Sequence, residues 1–162
     1  MIISGGNEAV PGIRRAKDMG LHVVVSDMNP KAPGFAIADD KIIASTYDVE
    51  ATLSAAKDYH KKVRPNNGVI YIASDVPLTV ASVAAELGLP GIPVEAARLA
   101  SDKILMKNRF QEKGIAIPWF SEVFSYKHLK EIVSQRGFPL VIKPVDSRGA
   151  RGVLRLTASI DL

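Results

Sequence analysis

The sequence predicts an α/β protein: an open parallel sheet over residues 1–93, then a smaller α+β unit over 94–162. Three observations carry that reading. Short apolar runs such as Val23-Val24-Val25 and Val69-Ile70-Tyr71-Ile72-Ala73 alternate with segments of helical periodicity. Apolar strands separated by helices belong to a parallel sheet covered on both faces. The stretch Leu87-Gly88-Leu89-Pro90-Gly91-Ile92-Pro93 then breaks the alternation with two prolines and two glycines, as a domain boundary does. Beyond it, Leu140 to Lys143 and Val153 to Leu156 form two strands around a glycine-bearing loop.

Each element has a local reason. Met1 to Ser4 leads into the turn Gly5-Gly6-Asn7, after which Ala9, Ile13 and Ala16 recur at helical spacing and Gly20 follows the end. Leu21 to Ser26 reads as a strand buried on both faces, and Lys41 to Ala44 as a short third one. Asp48 is placed to cap a helix carrying Val49, Leu53, Ala56 and Val63 on one face. Asn66-Asn67-Gly68 turns into the strand Val69 to Ala73, and Asp75 is placed to cap a helix to Leu87. The simplest topology for such a series is Rossmann-like. In the second unit Ser101 reads as the cap of a helix to Lys113, ended by Gly114 in the left-handed conformation. Trp119 to Phe124 reads as a strand, and Ser125 as the cap of a helix carrying Leu129, Ile132 and Val133 to Gly137. Thr157 to Leu162 resembles the entry to another helix, so that half a domain is expected to be missing.

Composition narrows the function. With 47% hydrophobic and 23% charged residues the chain is globular, not disordered. The absence of cysteine excludes a disulfide scaffold, an iron–sulfur cluster, a Cys-ligated zinc and a thiol nucleophile. A net charge of +4, without a basic run interleaved with aromatics, does not point to nucleic acid. No apolar run approaches the ~20 residues of a membrane span, and Met1-Ile2-Ile3-Ser4 shows neither a basic leader nor a long apolar core, so no signal peptide is expected there. A cytoplasmic protein without nucleic-acid or membrane partners is expected.

The most informative segment runs from Pro139 to Val153. An apolar strand delivers Lys143 at its tip, Pro144 stops the ladder, and the loop 146–152 carries glycines and arginines before the next strand. Phosphate binding needs donors that converge on one anion: amides freed by glycine, a lysine point charge and guanidinium forks. The hairpin supplies all three, although a solvated basic turn has the same composition. Lys103 and Lys107 lie one turn apart, a like-charge pair that a bound anion would relieve and that a wet helix face also tolerates.

Together these segments resemble the ATP-grasp superfamily. The carrying residues are Asp102-Lys103 opening a helix, Gly114-Ile115-Ala116-Ile117-Pro118, and Gly137-Phe138-Pro139-Leu140-Val141-Ile142-Lys143-Pro144 before the 146–152 loop. The wording is most similar to the branch of carbamoyl-phosphate synthase large subunits, biotin carboxylases and phosphoribosylglycinamide synthetases. The resemblance implies a pre-ATP-grasp domain at 1–93 and the first, incomplete part of an ATP-grasp domain at 94–162. It further implies an ATP-dependent carboxylate–amine or bicarbonate ligase working through an acyl phosphate. The cofactor-binding residues it implies are Lys103, Lys143, Ser147, Gly149, Arg151 and Gly152, with Lys143 also beside the adenine. The loop has fewer glycines than the biotin carboxylase form, so the Ser147 hydroxyl and one of Arg148 and Arg151 are expected to supply part of the contact.

The resemblance implies ATP, a small carboxylate or bicarbonate, and magnesium in the complete protein. Neither Asp146 nor Asp161 matches the family's metal motif, so no metal ligand and no catalytic residue is carried over, and these 162 residues alone are expected to be inactive. Homo-oligomerisation is left open. Two other classes fit parts of the chain. A dinucleotide module would use Gly5, Gly6, Gly12 and Asp27, but their spacing is not G-x-G-x-x-G. A non-catalytic interaction domain would offer the basic loop to an acidic partner. His22, His60 and His128 have no metal spacing, and Ser74-Asp75 has no paired histidine.

Overall fold

The computed structural model describes residues 1–147 and 149–158. The expectations placed on Arg148 and on the segment through Ile160, Asp161 and Leu162 lie outside the described residues. The chain divides into two compact units, Met1–Arg98 and Leu99–Leu162.

The first unit is a mixed α/β layer structure. Strands β1 (Ile2–Ile3), β2 (Val24–Asp27), β3 (Asp40–Ile43) and β4 (Ile70–Tyr71) form one sheet in the order β3-β2-β1-β4. Every pairing is parallel, with Ile2 opposite both Val25 and Ile70. Helices α1 (Val10–Asp18) and α2 (Val49–Lys62) connect strands, and α3 (Pro77–Glu86) follows β4. Because successive strand residues face opposite ways, Ile2 and Ile3 enter different cores. Ile2 packs with Ala9, Ile13, Val23 and Val25, and Ile3 with Ala56, Val69, Val76, Val83 and Ala84. Burying each such aliphatic side chain is worth about 1.5–3 kcal/mol.

Local chemistry sets most boundaries. Asp48 caps α2 by accepting the Ala51 N–H at 2.9 Å. Strand β2 starts at Val24 instead of Leu21, because the Leu21 N–H still bonds the Ala16 carbonyl and its side chain lies exposed after the helix end. Asp75 does not cap α3: Val76 precedes it without a side-chain bond, and Pro77, which needs no partner for a missing N–H, stands in the first turn. A 3₁₀ turn at Pro33–Ala36 docks on the end of β1 through Gly34 N–H donating to the Gly5 carbonyl at 2.8 Å. A Cβ at position 34 would meet Gly5 Cα and O at 3.0 Å, so the approach requires glycine.

Helix α4 (Val94–Ser101) was not foreseen; the prolines and glycines at 87–93 read only as an interruption, yet the Pro93 carbonyl accepts the Ala97 N–H at its start. In the second unit, α5 (Lys103–Glu112) and α6 (Tyr126–Arg136) accompany an antiparallel hairpin of β5 (Leu140–Ile142) and β6 (Leu154–Leu156). Ser101 closes α4, and the cap of α5 is Asp102, whose carboxylate accepts the Ile104 and Leu105 N–H groups at 2.8 and 2.9 Å. Ser125 caps α6, and Gly114 and Gly137 end the two helices with φ of 67° and 71°. Trp119 to Phe124 forms no strand: the Arg136 guanidinium lies 4.3 Å from the Trp119 ring centre and the Lys107 ammonium 5.0 Å from that of Phe120.

Candidate functional site

The second unit contains a cleft of about 570 Å³ walled by α5, α6, the 118–123 segment and the hairpin. Lys103, Lys107, Trp119, Ile132, Ile142 and Lys143 are among its lining residues. Three of the cations singled out in the sequence, Lys103, Lys107 and Lys143, therefore share one cavity. They do so because α5 presents Lys103 in its first turn and β5 ends just before Lys143.

Their environments differ. Lys143 is exposed, and its ammonium has no hydrogen bond or ion pair among the described residues. Lys103 is half-buried and engaged: its Nζ donates to the carbonyls of Val145 at 2.9 Å and Ser147 at 2.6 Å, and its backbone N–H donates to Val145 O at 3.2 Å. Ser147 thus meets Lys103 through its carbonyl, a backbone contact that residue type alone does not reveal. Gly149 and Gly152 turn the loop in left-handed conformations, φ 62° and 70°, and Ala150 joins them at 59°. A Cβ on Gly152 would also strike Pro144 Cγ at 2.8 Å, so both backbone and space favour glycine there. Arg151 lies exposed in the same loop. The repulsion expected between Lys103 and Lys107 is eased without any ligand, since Lys107 lies over Phe120.

The first unit has polar chemistry of another kind. Gly5 and Gly6 do form a strand-to-helix turn, but the Asp27 carboxylate at the end of β2 already accepts the Gly5 N–H at 2.8 Å and the Asn29 N–H at 2.9 Å. Near the β3 edge, Asp40 accepts the Tyr59 hydroxyl at 2.7 Å and faces His22 Nε2 at 2.8 Å, while Lys17 donates to Asp39. Burial, then the Asp40 bond, pushes the Tyr59 phenol up to about 12. Bonds from Tyr59 to Asp40 and from Lys17 to Asp39 hold both carboxyls below their ordinary range. His22 thereby acts as a strut between β2 and β3. Among the described residues no three His, Asp or Glu side chains gather as metal ligands, and no helix is long and apolar enough to cross a membrane.

A parallel α/β unit followed by a helix–hairpin unit is the fold of the N-terminal part of ATP-grasp ligases, and the chain is similar to such enzymes in both sequence and fold. Among relatives, the carbamoyl phosphate synthase large chain of Methanosarcina mazei is 28% identical over 147 residues, covering 86% of this chain and 13% of that protein. The N5-carboxyaminoimidazole ribonucleotide synthetase of Thermotoga maritima superposes with a TM-score of 0.69 at 24% identity, over 98% of this chain and 40% of that one. The biotin carboxylase domain of Hydrogenobacter thermophilus 2-oxoglutarate carboxylase, solved with MgADP, ADP and bicarbonate, gives 0.67 at 17% identity, over 95% and 36%. No family model matches the chain. The chain thus spans a minor part of the length of each.

Proposed function

We propose that this chain is the N-terminal portion of an ATP-dependent ligase that joins a carboxylate, or bicarbonate, to an amine through an acyl phosphate. Residues 1–93 form the pre-ATP-grasp domain in this reading and 94–162 the first part of the ATP-grasp domain. The observation that carries it is the shared cleft: Lys103 and Lys143 line one cavity whose other walls are largely apolar. A cationic end and an apolar body suit a nucleotide, with a charged tail and a flat base, and the volume lies within the range of ligand pockets.

The donor set fits the triphosphate. Lys143 supplies an uncommitted ammonium, Lys103 a second cation, and Ser147, Gly149, Arg151 and Gly152 lie on or beside the loop that would cover the phosphates. ATP supplies the phosphoryl group: the carboxylate oxygen bonds to the γ-phosphorus as ADP leaves, then the amine nitrogen bonds to the acyl carbon as inorganic phosphate leaves. The contribution of this chain is charge neutralisation and positioning. The magnesium such a reaction uses finds no ligand set among the described residues, so none is assigned here.

Lys143→Ala in the complete protein is expected to weaken ATP binding by about a hundredfold, near 2.7 kcal/mol. Isothermal calorimetry with MgATP checks this, and undiminished affinity would overturn the assignment.

A further inference from the structure

Lys103 and Lys143, of the three lysines that line the cleft, are not equivalent, and the difference assigns Lys103 a task besides charge. Its position is rigid: Asp102 caps the first turn of α5 through two backbone N–H groups, and Lys103 is the first helical residue after it. From there it reaches across some forty residues of sequence with both its backbone N–H and its ammonium, donating to the carbonyls of Val145 and Ser147. Those carbonyls belong to the root of the 146–152 loop, where Pro144 removes one backbone donor. An ammonium has three N–H donors. Two are spent on the loop root, and one is left.

We propose that Lys103 is a positioning residue: its ammonium staples the root of the glycine loop to the first turn of α5, and this holds Lys143 and the loop amides at a preset separation. The inference rests on the nucleotide reading above for its purpose, though the staple itself is independent of any ligand. Charge-assisted bonds to carbonyls are stronger than neutral ones. They therefore restrict residues 145–147 before a ligand arrives, so less ordering is left for binding to supply. Lys143, with no such partner among the described residues, remains the adaptable cation of the pair.

The test is nuclear magnetic resonance on the labelled protein without nucleotide, comparing wild type, Lys103→Met and Lys143→Met. The staple predicts that amide exchange at position 103, whose N–H donates to the Val145 carbonyl, accelerates at least tenfold in Lys103→Met and stays within twofold of wild type in Lys143→Met. Amides of α6 and of the β5–β6 ladder, in the same unit, report that its fold is intact. Wild type needs no substitution: the Lys103 ammonium protons should exchange with water more slowly than those of Lys143. Equal amide exchange at position 103 in all three proteins, or equal ammonium exchange for the two lysines, overturns the staple. Calorimetry of the complete protein with ATP then separates the two claims: a loop root released by Lys103→Met in a complete protein that does not bind ATP upholds the staple and sinks the nucleotide reading.

Discussion

In Met1–Arg98 the apolar side chains of β1 and β2 are closed in from both faces, with Ile43, Ile70 and Tyr71 of the outer strands more exposed, whereas in Leu99–Leu162 the hairpin is covered unevenly. Ile3, Ile13, Val25 and Val83 are fully buried in the first unit; among the described residues of the second, only Ile132 and Leu156 are buried hydrophobics. Phe124, Val141 and Leu154 stand more than half exposed there. The difference teaches that the two units do different work. Two helical layers make the first a self-supporting scaffold, while the second commits its interior to a cleft lined by aromatic, aliphatic and cationic groups.

The largest expected effect tests that contrast directly. Ile13→Ala, in a site packed on all sides, should cost about 3–5 kcal/mol, while Ile132→Ala, whose side chain adjoins the cleft, should cost about 1–2 kcal/mol. Chemical denaturation measures both, and equal losses would erase the distinction. Next comes an alkaline limb. The Tyr59 phenol is held above its ordinary value, so the folded state keeps its proton where the unfolded chain has lost it. Stability is therefore full below about pH 10 and falls as pH rises towards 12. Tyr59→Phe should remove that limb from a plot of melting temperature against pH; its persistence would place the titrating group elsewhere. Smallest are the helix caps. Asp48→Ala and Asp102→Ala should each cost about 1 kcal/mol. Only the second is expected to speed amide exchange at Lys103, whose N–H bonds the Val145 carbonyl, because only α5 carries the lysine that holds the loop root.

How much of this was legible in the sequence follows the same division. Much of the scaffold was: β1 and β2 are buried parallel strands written as apolar runs, and Asp48, Gly20 and Gly137 act locally as their residue types suggest. Val69 to Ala73, by contrast, reads as a buried strand but pairs only over Ile70 and Tyr71, exposed at the sheet edge. The similarity to the N-terminal part of ATP-grasp ligases was legible too, because the motif from Gly137 to Pro144 is contiguous. What failed was contextual. Trp119 to Phe124 has strand composition, but its rings are engaged by Arg136 and Lys107 instead of pairing in a ladder. Asp102 displaced Ser101 as the cap because α4 already uses Ser101 as its last residue. Lys103's backbone partners left no trace in side-chain identities, since carbonyls are common to every residue. A lysine directly after a helix cap, paired in the chain with a later Lys-Pro, was the available hint.

The clasp between Gly34 and Gly5 carries a further consequence. Where the 3₁₀ turn rests on the tip of β1, the seat holds a hydrogen and nothing larger. The distance from that turn to the central strand is thus set by a single missing carbon. Sequence drift at this site has no room to move, whereas at Gly68, which faces open space, any side chain can be carried outward into water.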